Sequence, residues 1–232
     1  MQGWQIALII IACLASLWVV IRFLWRRSAS HPLQQVTNQL LEHLESIGVT
    51  AQPHEVESQK IRKREEGYRV TLRQLAGFRI WLRRIHFIEV WREAKKEKNK
   101  SATEDEITYV ITFEPGTKLG RIPILTNIVS IQMAEGKSRF KWRGFEWGKV
   151  PLLVDKLKAD KALNSKLRKH ISQDLANDLR IRALSGNRVG ITMIYNPHRL
   201  PTREFLACME DIAKHVNEYV TERNIEREQQ EA

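Results

Sequence analysis

Two cysteines in 232 residues, Cys13 and Cys208, offer no disulfide framework, and both are expected as reduced thiols. The histidines are equally uninformative as ligands: His31, His43, His54, His86, His170 and His198 are scattered without the paired spacing that metal motifs show. No nucleophile elbow is present. The glycine pair Gly116 and Gly120 lacks the lysine of a phosphate loop, and Gly144, Gly148 and Lys149 lack its spacing and the Ser or Thr that follows. No repeat at solenoid periods is found. These absences leave no catalytic motif and no expected cofactor, although an enzyme whose site is assembled from dispersed residues stays open as an alternative.

Charge is also missing where it would mark an export signal. The run from Trp4 to Ile21 holds no charged residue and none precedes it, whereas Arg22, Arg26 and Arg27 follow. A cleaved signal peptide would carry its positive charge before the apolar core and a small-residue cleavage site after it, so this order favours an uncleaved anchor. A helix over residues 4–25 is roughly 30 Å long, the thickness of a bilayer's hydrocarbon core, with Trp4 and Trp25 at the two interfaces. Arginines behind the span place the N-terminus outside the cell membrane and the rest of the chain in the cytoplasm. The sequence thus divides into a transmembrane anchor (1–27), an amphipathic stem helix and charged linker (28–66), a basic α+β domain (67–222) and a polar tail (223–232).

The chain carries 38 Lys+Arg against 27 Asp+Glu, and setting the three anchor arginines aside leaves +8 for the cytosolic part. The excess is concentrated: residues 60–100 carry +9 and residues 137–200 carry +10, with acidic stretches between and around them. Such blocks suit anionic partners, or are simply the solvated faces of ordinary elements.

Along the stem, Leu33, Val36, Leu40, Leu44 and Ile47 recur at helical spacing before Gly48. The stripe over residues 33–47 could support self-association, but at about two heptads it is short for a coiled coil, and packing on its own domain is the better reading. From Gly67 the period changes to two: Tyr68, Val70 and Leu72 alternate with Arg69, Thr71 and Arg73. Phe78 to Trp91 reads as two short strands, and residues 93–106, with no apolar residue larger than alanine before Ile107, as a mobile charged loop. Further strands are expected at 107–113 and 128–133, helices near 153–157 and 160–175, a hairpin over 179–195 and a helix capped by Thr202, with the tail after Thr221 fraying. The fold class is therefore α+β: an antiparallel or mixed sheet packed against C-terminal helices.

Two basic–aromatic clusters stand out as a candidate binding surface. The first is Lys137, Arg139, Lys141, Trp142, Arg143, Trp147 and Lys149, where aromatics interleaved with cations could sit at a headgroup boundary or stack on bases along a phosphate backbone. The bland reading is a strand with its rings in the core and its cations in water, which alternation by itself predicts. The second cluster, Arg79, Arg83 and Arg84 around Trp81, repeats the theme more weakly and does not by itself imply a ligand. Asp211, His215, Glu218 and Glu222 share a stripe of the last helix but read as a solvated polar face rather than a metal site. Taken together, the sequence points to a single-pass, non-enzymatic binding or scaffold protein whose basic domain engages anionic lipid headgroups or an acidic protein. Nucleic-acid binding at the membrane is the runner-up.

Overall fold

A computed structural model describes residues 33–54, 61–65, 69–97, 100–117, 119, 129–132, 142–143, 152–171, 178–184, 186–196, 198 and 200–231. The proposed span therefore lies outside the described residues, and among those described no helix is long and apolar enough to cross a membrane.

The first element is helix α1 (33–46). It ends in a Schellman arrangement: Gly48 takes a positive φ of 74°, its N–H donates to Glu45 O, and Val49 N–H donates to Leu44 O. Strands β1 (Ala51–His54), β2 (Ile61–Glu65), β3 (Arg69–Ile80), β4 (Ile85–Glu97), β5 (Lys100–Thr112), β6 (Val129–Gln132) and β7 (Trp142–Arg143) follow. After them come helices α2 (Leu152–Ala159) and α3 (Lys161–Ile171), strands β8 (Asp178–Leu184) and β9 (Arg188–Ile194), and the long helix α4 (Arg203–Glu231). All pairings are antiparallel, in the spatial order β1-β3-β4-β5-β9-β8-β6-β7, with β2 on the same edge of β3 as β1. The body is the six-strand run β3-β4-β5-β9-β8-β6, trimmed by short strands at its edges.

Register shows how the two faces differ. One row across the sheet reads Pro53, Phe78, Ile88, Tyr109, Ile191, Ile181 and Val129. Shifted by one residue, the row reads His54, Gly77, Glu89, Thr108, Thr192, Arg180, Ser130 and Arg143. The first row is apolar, and its Phe78, Ile88, Tyr109, Ile191 and Ile181 share a single buried cluster with the helices: Leu40 and Leu44 of α1, Leu153 and Leu157 of α2, Leu163 and Leu167 of α3, and Phe205, Met209 and Ile212 of α4. Residues of period two on the sheet and period 3.6 on the helices thus meet at one interface, as a two-layer α+β fold requires. The second row is polar, and from Gly77 to Arg180 it lies on the face that no described helix covers, the helix-free face. Gly190 has a packing reason there, since a Cβ at that position would lie 2.6 Å from Thr108 Cγ2 and 3.0 Å from Leu184 Cδ1.

Helices α2 and α3 run antiparallel along α4. Lys156 meets Glu222, Asp160 meets His215 at 2.9 Å, Lys166 meets Asp211 at 3.2 Å, and the His170 ring stacks edge-on against Phe205. Asp160 caps α3 through Leu163 N–H, and Thr202 caps α4 through Phe205 N–H.

Several expectations need correction. Residues 93–97 and 100–106 form the distal half of the paired strands β4 and β5 rather than a loop, with pairs such as Arg92–Asp105 and Lys96–Ser101 in register. The pair continues past the core because pairing needs only a neighbouring strand, and the bidentate Arg92–Asp105 contact, 2.6 Å at both atoms, ties its base. Part of the supposed linker pairs as β1 and β2. The stripe of α1 is spent in the domain's own core, so the globular unit takes in residues from 33 onward rather than from 67, and Leu33, Leu40 and Leu44 are not free for self-association. Finally, α4 runs on to Glu231 instead of fraying after Thr221.

Candidate anionic-surface contact at the β3–β4 turn

Strand β3 hands over to β4 through residues 81–84, and the apolar residues around this turn fix which side chains are left outside. Ile80 and Ile85 are buried and Leu82 is half-buried against the core. Trp81 falls on the opposite parity, with Arg79 and Arg83, and is 50% exposed, the most exposed of the large apolar side chains described. The Arg79 guanidinium lies over its ring, 5.7 Å from the centroid, a cation–π distance.

The turn is held from below by α4. The Glu210 carboxylate accepts hydrogen bonds from Arg84 N–H at 3.0 Å and Ile85 N–H at 2.9 Å through Oε1, and again from Arg84 N–H at 3.1 Å through Oε2. It also faces the Arg84 guanidinium at 4.0 Å. One carboxylate therefore satisfies two backbone donors and part of one positive charge. Among the described residues, no carboxylate pairs with Arg79 or Arg83. The turn is thus braced and carries an exposed indole, two cations without a carboxylate partner among the described residues and a third that faces Glu210.

The first cluster fares differently. Trp142 is buried at 3% exposure beneath α2 and α3, its Nε1 donating to Asn164 Oδ1 at 2.7 Å, while Asn164 Nδ2 donates to the carbonyls of Leu157 and Lys158. As an exposed stacking ring Trp142 is excluded, because its indole fills the core and its polar atom is already satisfied. Arg143 pairs in register with Ser130. Lys137, Arg139, Lys141, Trp147 and Lys149 lie outside the described residues.

Arg79 and Arg143 belong to strands near opposite edges of the sheet. Six strand spacings separate β3 from β7, roughly 29 Å. Between them the helix-free face carries ion pairs of its own: Arg188 Nη1 lies 2.8 Å from Glu89 Oε1, and Arg182 Nη2 lies 3.2 Å from Glu106 Oε2. The structure therefore brings Arg79, Arg83 and Arg84 together with Trp81 and keeps Arg143 apart from them. Parity alone could have flagged the exposure of Trp81. The Glu210 brace had no signal in the sequence, since it links residues 126 apart.

Other clusters carry less. The α4 stripe is a largely solvated polar face with ion pairs along it, as expected: Asp211, His215 and Glu222 meet Lys166, Asp160 and Lys156 from the neighbouring helices, and Glu218 faces Lys214 within α4. Among the described residues, no group of three His, Cys, Asp or Glu could hold a metal ion. Burial pushes the Cys208 thiol up to about 11, which marks a packing residue rather than a nucleophile. Ile107, Tyr109, Met193, Tyr195, Pro201 and Phe205 line a shallow depression; burial raises both tyrosine pKa values, that of Tyr195 with help from the Asp105 charge.

His170 is the exception that yields a pH prediction. Burial beside Phe205 holds its pKa below the usual 6.5, against an opposing pull from Glu204, and its Nδ1 has no partner among the described residues. A depressed folded-state pKa means that the unfolded chain takes up the proton first. Stability contributed by neutral His170 is therefore present above pH ~6.5 and is lost as pH falls below that value toward the folded pKa. The urea midpoint of the full chain should drop between pH 7.5 and pH 5.5 by more in the wild type than in His170→Gln. Equal drops would show that this histidine does not contribute.

No protein-family model matches the chain, and comparisons with curated proteins and with solved structures find no match.

Proposed function

We propose that the protein is a single-pass membrane-anchored, non-enzymatic binding module whose cytoplasmic domain engages anionic groups at the bilayer surface, lipid headgroups first and an acidic protein partner second. The observation that carries this reading is how soon the core begins after the apolar run. Leu33 belongs to the buried cluster, and only five residues, 28–32, separate it from Arg27, so the connection reaches at most about 20 Å. With residues 4–25 in the bilayer, the domain has no free stem and is confined to the headgroup region, where the inner leaflet attracts each nearby Lys or Arg by about 1 kcal/mol. A cytosolic charge of +8 fits that environment.

Membranes from cells expressing the full chain test the reading. The protein should stay in the pellet after alkaline carbonate extraction, and protease should digest residues beyond 33 only when the cytoplasmic side is accessible. Release into the supernatant, or digestion from the outer side, would remove it.

A further inference from the structure

We propose that the β3–β4 turn is the domain's docking point on anionic lipid, with Trp81 seated at the boundary between headgroups and acyl chains and Arg79, Arg83 and Arg84 on the surrounding phosphates. This rests on the membrane-anchored reading above.

Three observations converge on it. The first is chemistry: an indole with one apolar body and one polar N–H favours the interfacial layer, and guanidinium groups bind phosphate in a bidentate fork. Trp81 is half-exposed with Arg79 over its ring, and neither Arg79 nor Arg83 has a carboxylate partner among the described residues. The second is rigidity. Glu210 clamps the backbone N–H groups of Arg84 and Ile85, so little conformational freedom is lost when the turn engages a surface. The third is position. The chain enters the domain through α1 and passes directly into β1, where Ala51 pairs with Ile80, the residue before Trp81. The way from the anchor to the turn is one short connection and one helix of about 21 Å.

The helix-free face is a poorer docking surface, since Glu89 and Glu106 already pair with its arginines.

The test uses the full chain with Cys13→Ser, carrying a nitroxide at Gln52→Cys, exposed and in register with Arg79, or, as a control, at Lys214→Cys on exposed α4; buried Cys208 stays unlabelled. Each protein is placed in nanodiscs of phosphatidylcholine, with or without phosphatidylglycerol. The label at 52 should become protected from a water-soluble nickel complex in the anionic discs, while the label at 214 stays in water, and Trp81→Ala should abolish that protection. Adding Arg79→Gln and Arg83→Gln should lower the docked-to-free ratio about fivefold per arginine. Protein that co-purifies with the discs but keeps residue 52 as wet as residue 214 in both lipids overturns the docking point and leaves the anchor standing. Equal protection in neutral and anionic discs overturns the arginine–phosphate contact. A response only to added polyglutamate peptide assigns the turn to an acidic protein instead. Failure to co-purify with discs removes the anchored reading, and this proposal with it.

Discussion

Leu44→Ala should lower the unfolding free energy of the domain by about 2–5 kcal/mol, the range for deleting a buried leucine side chain. Leu44 is fully buried, in one cluster with Leu40, Phe78, Ile80 and Met209, and its carbonyl also accepts the Val49 N–H that closes the helix. Truncation removes the transfer energy of the lost carbons and leaves a cavity that α1 and the sheet can only partly close. The effect separates two architectures. In a free stem, Leu44 would be solvent-exposed or lightly covered, and its loss would change stability by no more than about 0.5 kcal/mol. Urea titration of the full chain in detergent micelles measures it, with Glu45→Ala, an exposed neighbour, as the reference. A Leu44→Ala midpoint no lower than that of Glu45→Ala would detach α1 from the core and with it the short tether on which the functional reading depends.

The second large effect is expected on the helix-free face. Glu89 is 3% exposed, although no described helix covers it, and its carboxylate takes one hydrogen bond from Arg188 Nη1 at 2.8 Å and one from Trp91 Nε1 at 3.2 Å. Arg188→Leu would leave a buried carboxylate with a single neutral donor. Removing one partner of a buried pair costs about 3–5 kcal/mol, and because Arg188 is itself 30% exposed, a value near ~3 kcal/mol is expected. The Glu89→Gln, Arg188→Leu double variant should recover more than half of that loss, since no uncompensated charge is then buried. A double variant as unstable as the single one would place the cost in lost packing by the arginine stem rather than in the stranded charge.

What could be read from the sequence follows the range of the interactions involved. Helix α1 and its Gly48 stop, the Asp160 and Thr202 caps and the β8–β9 hairpin were legible because each depends on residues within a few positions of one another. Gly186 and Asn187, both with positive φ in that hairpin, are the residue types that tolerate it best. The Phe205, Met209, Ile212, Val216 and Tyr219 stripe was legible for the same reason, and all five are buried. Residues 93–97 and 100–106 were misread because their composition is that of a loop, whereas their strand state comes from partners in β3 and in each other that periodicity does not register. The stripe on α4 was legible as a polar face with ion pairs, but an isolated helical wheel cannot show that the partners are two lysines and an aspartate of the neighbouring helices.

The candidate site shows the same division. Alternation placed Trp142 with the core and Trp81 with the arginines, and both placements hold. The helical wheel gave no hint that Glu210, on a flank of α4, would fix the turn on which Trp81 stands. That brace is what converts a weak basic–aromatic cluster into the more coherent of the two surfaces.

Neutron reflectometry of the full chain in a supported bilayer containing phosphatidylglycerol tests the central claim most directly. The account predicts a protein layer in contact with the headgroups, and, when the anionic lipid is omitted, a water gap no thicker than the ~20 Å that the five connecting residues can span. A domain standing farther from the bilayer, or the same profile on neutral and anionic lipid, would contradict it.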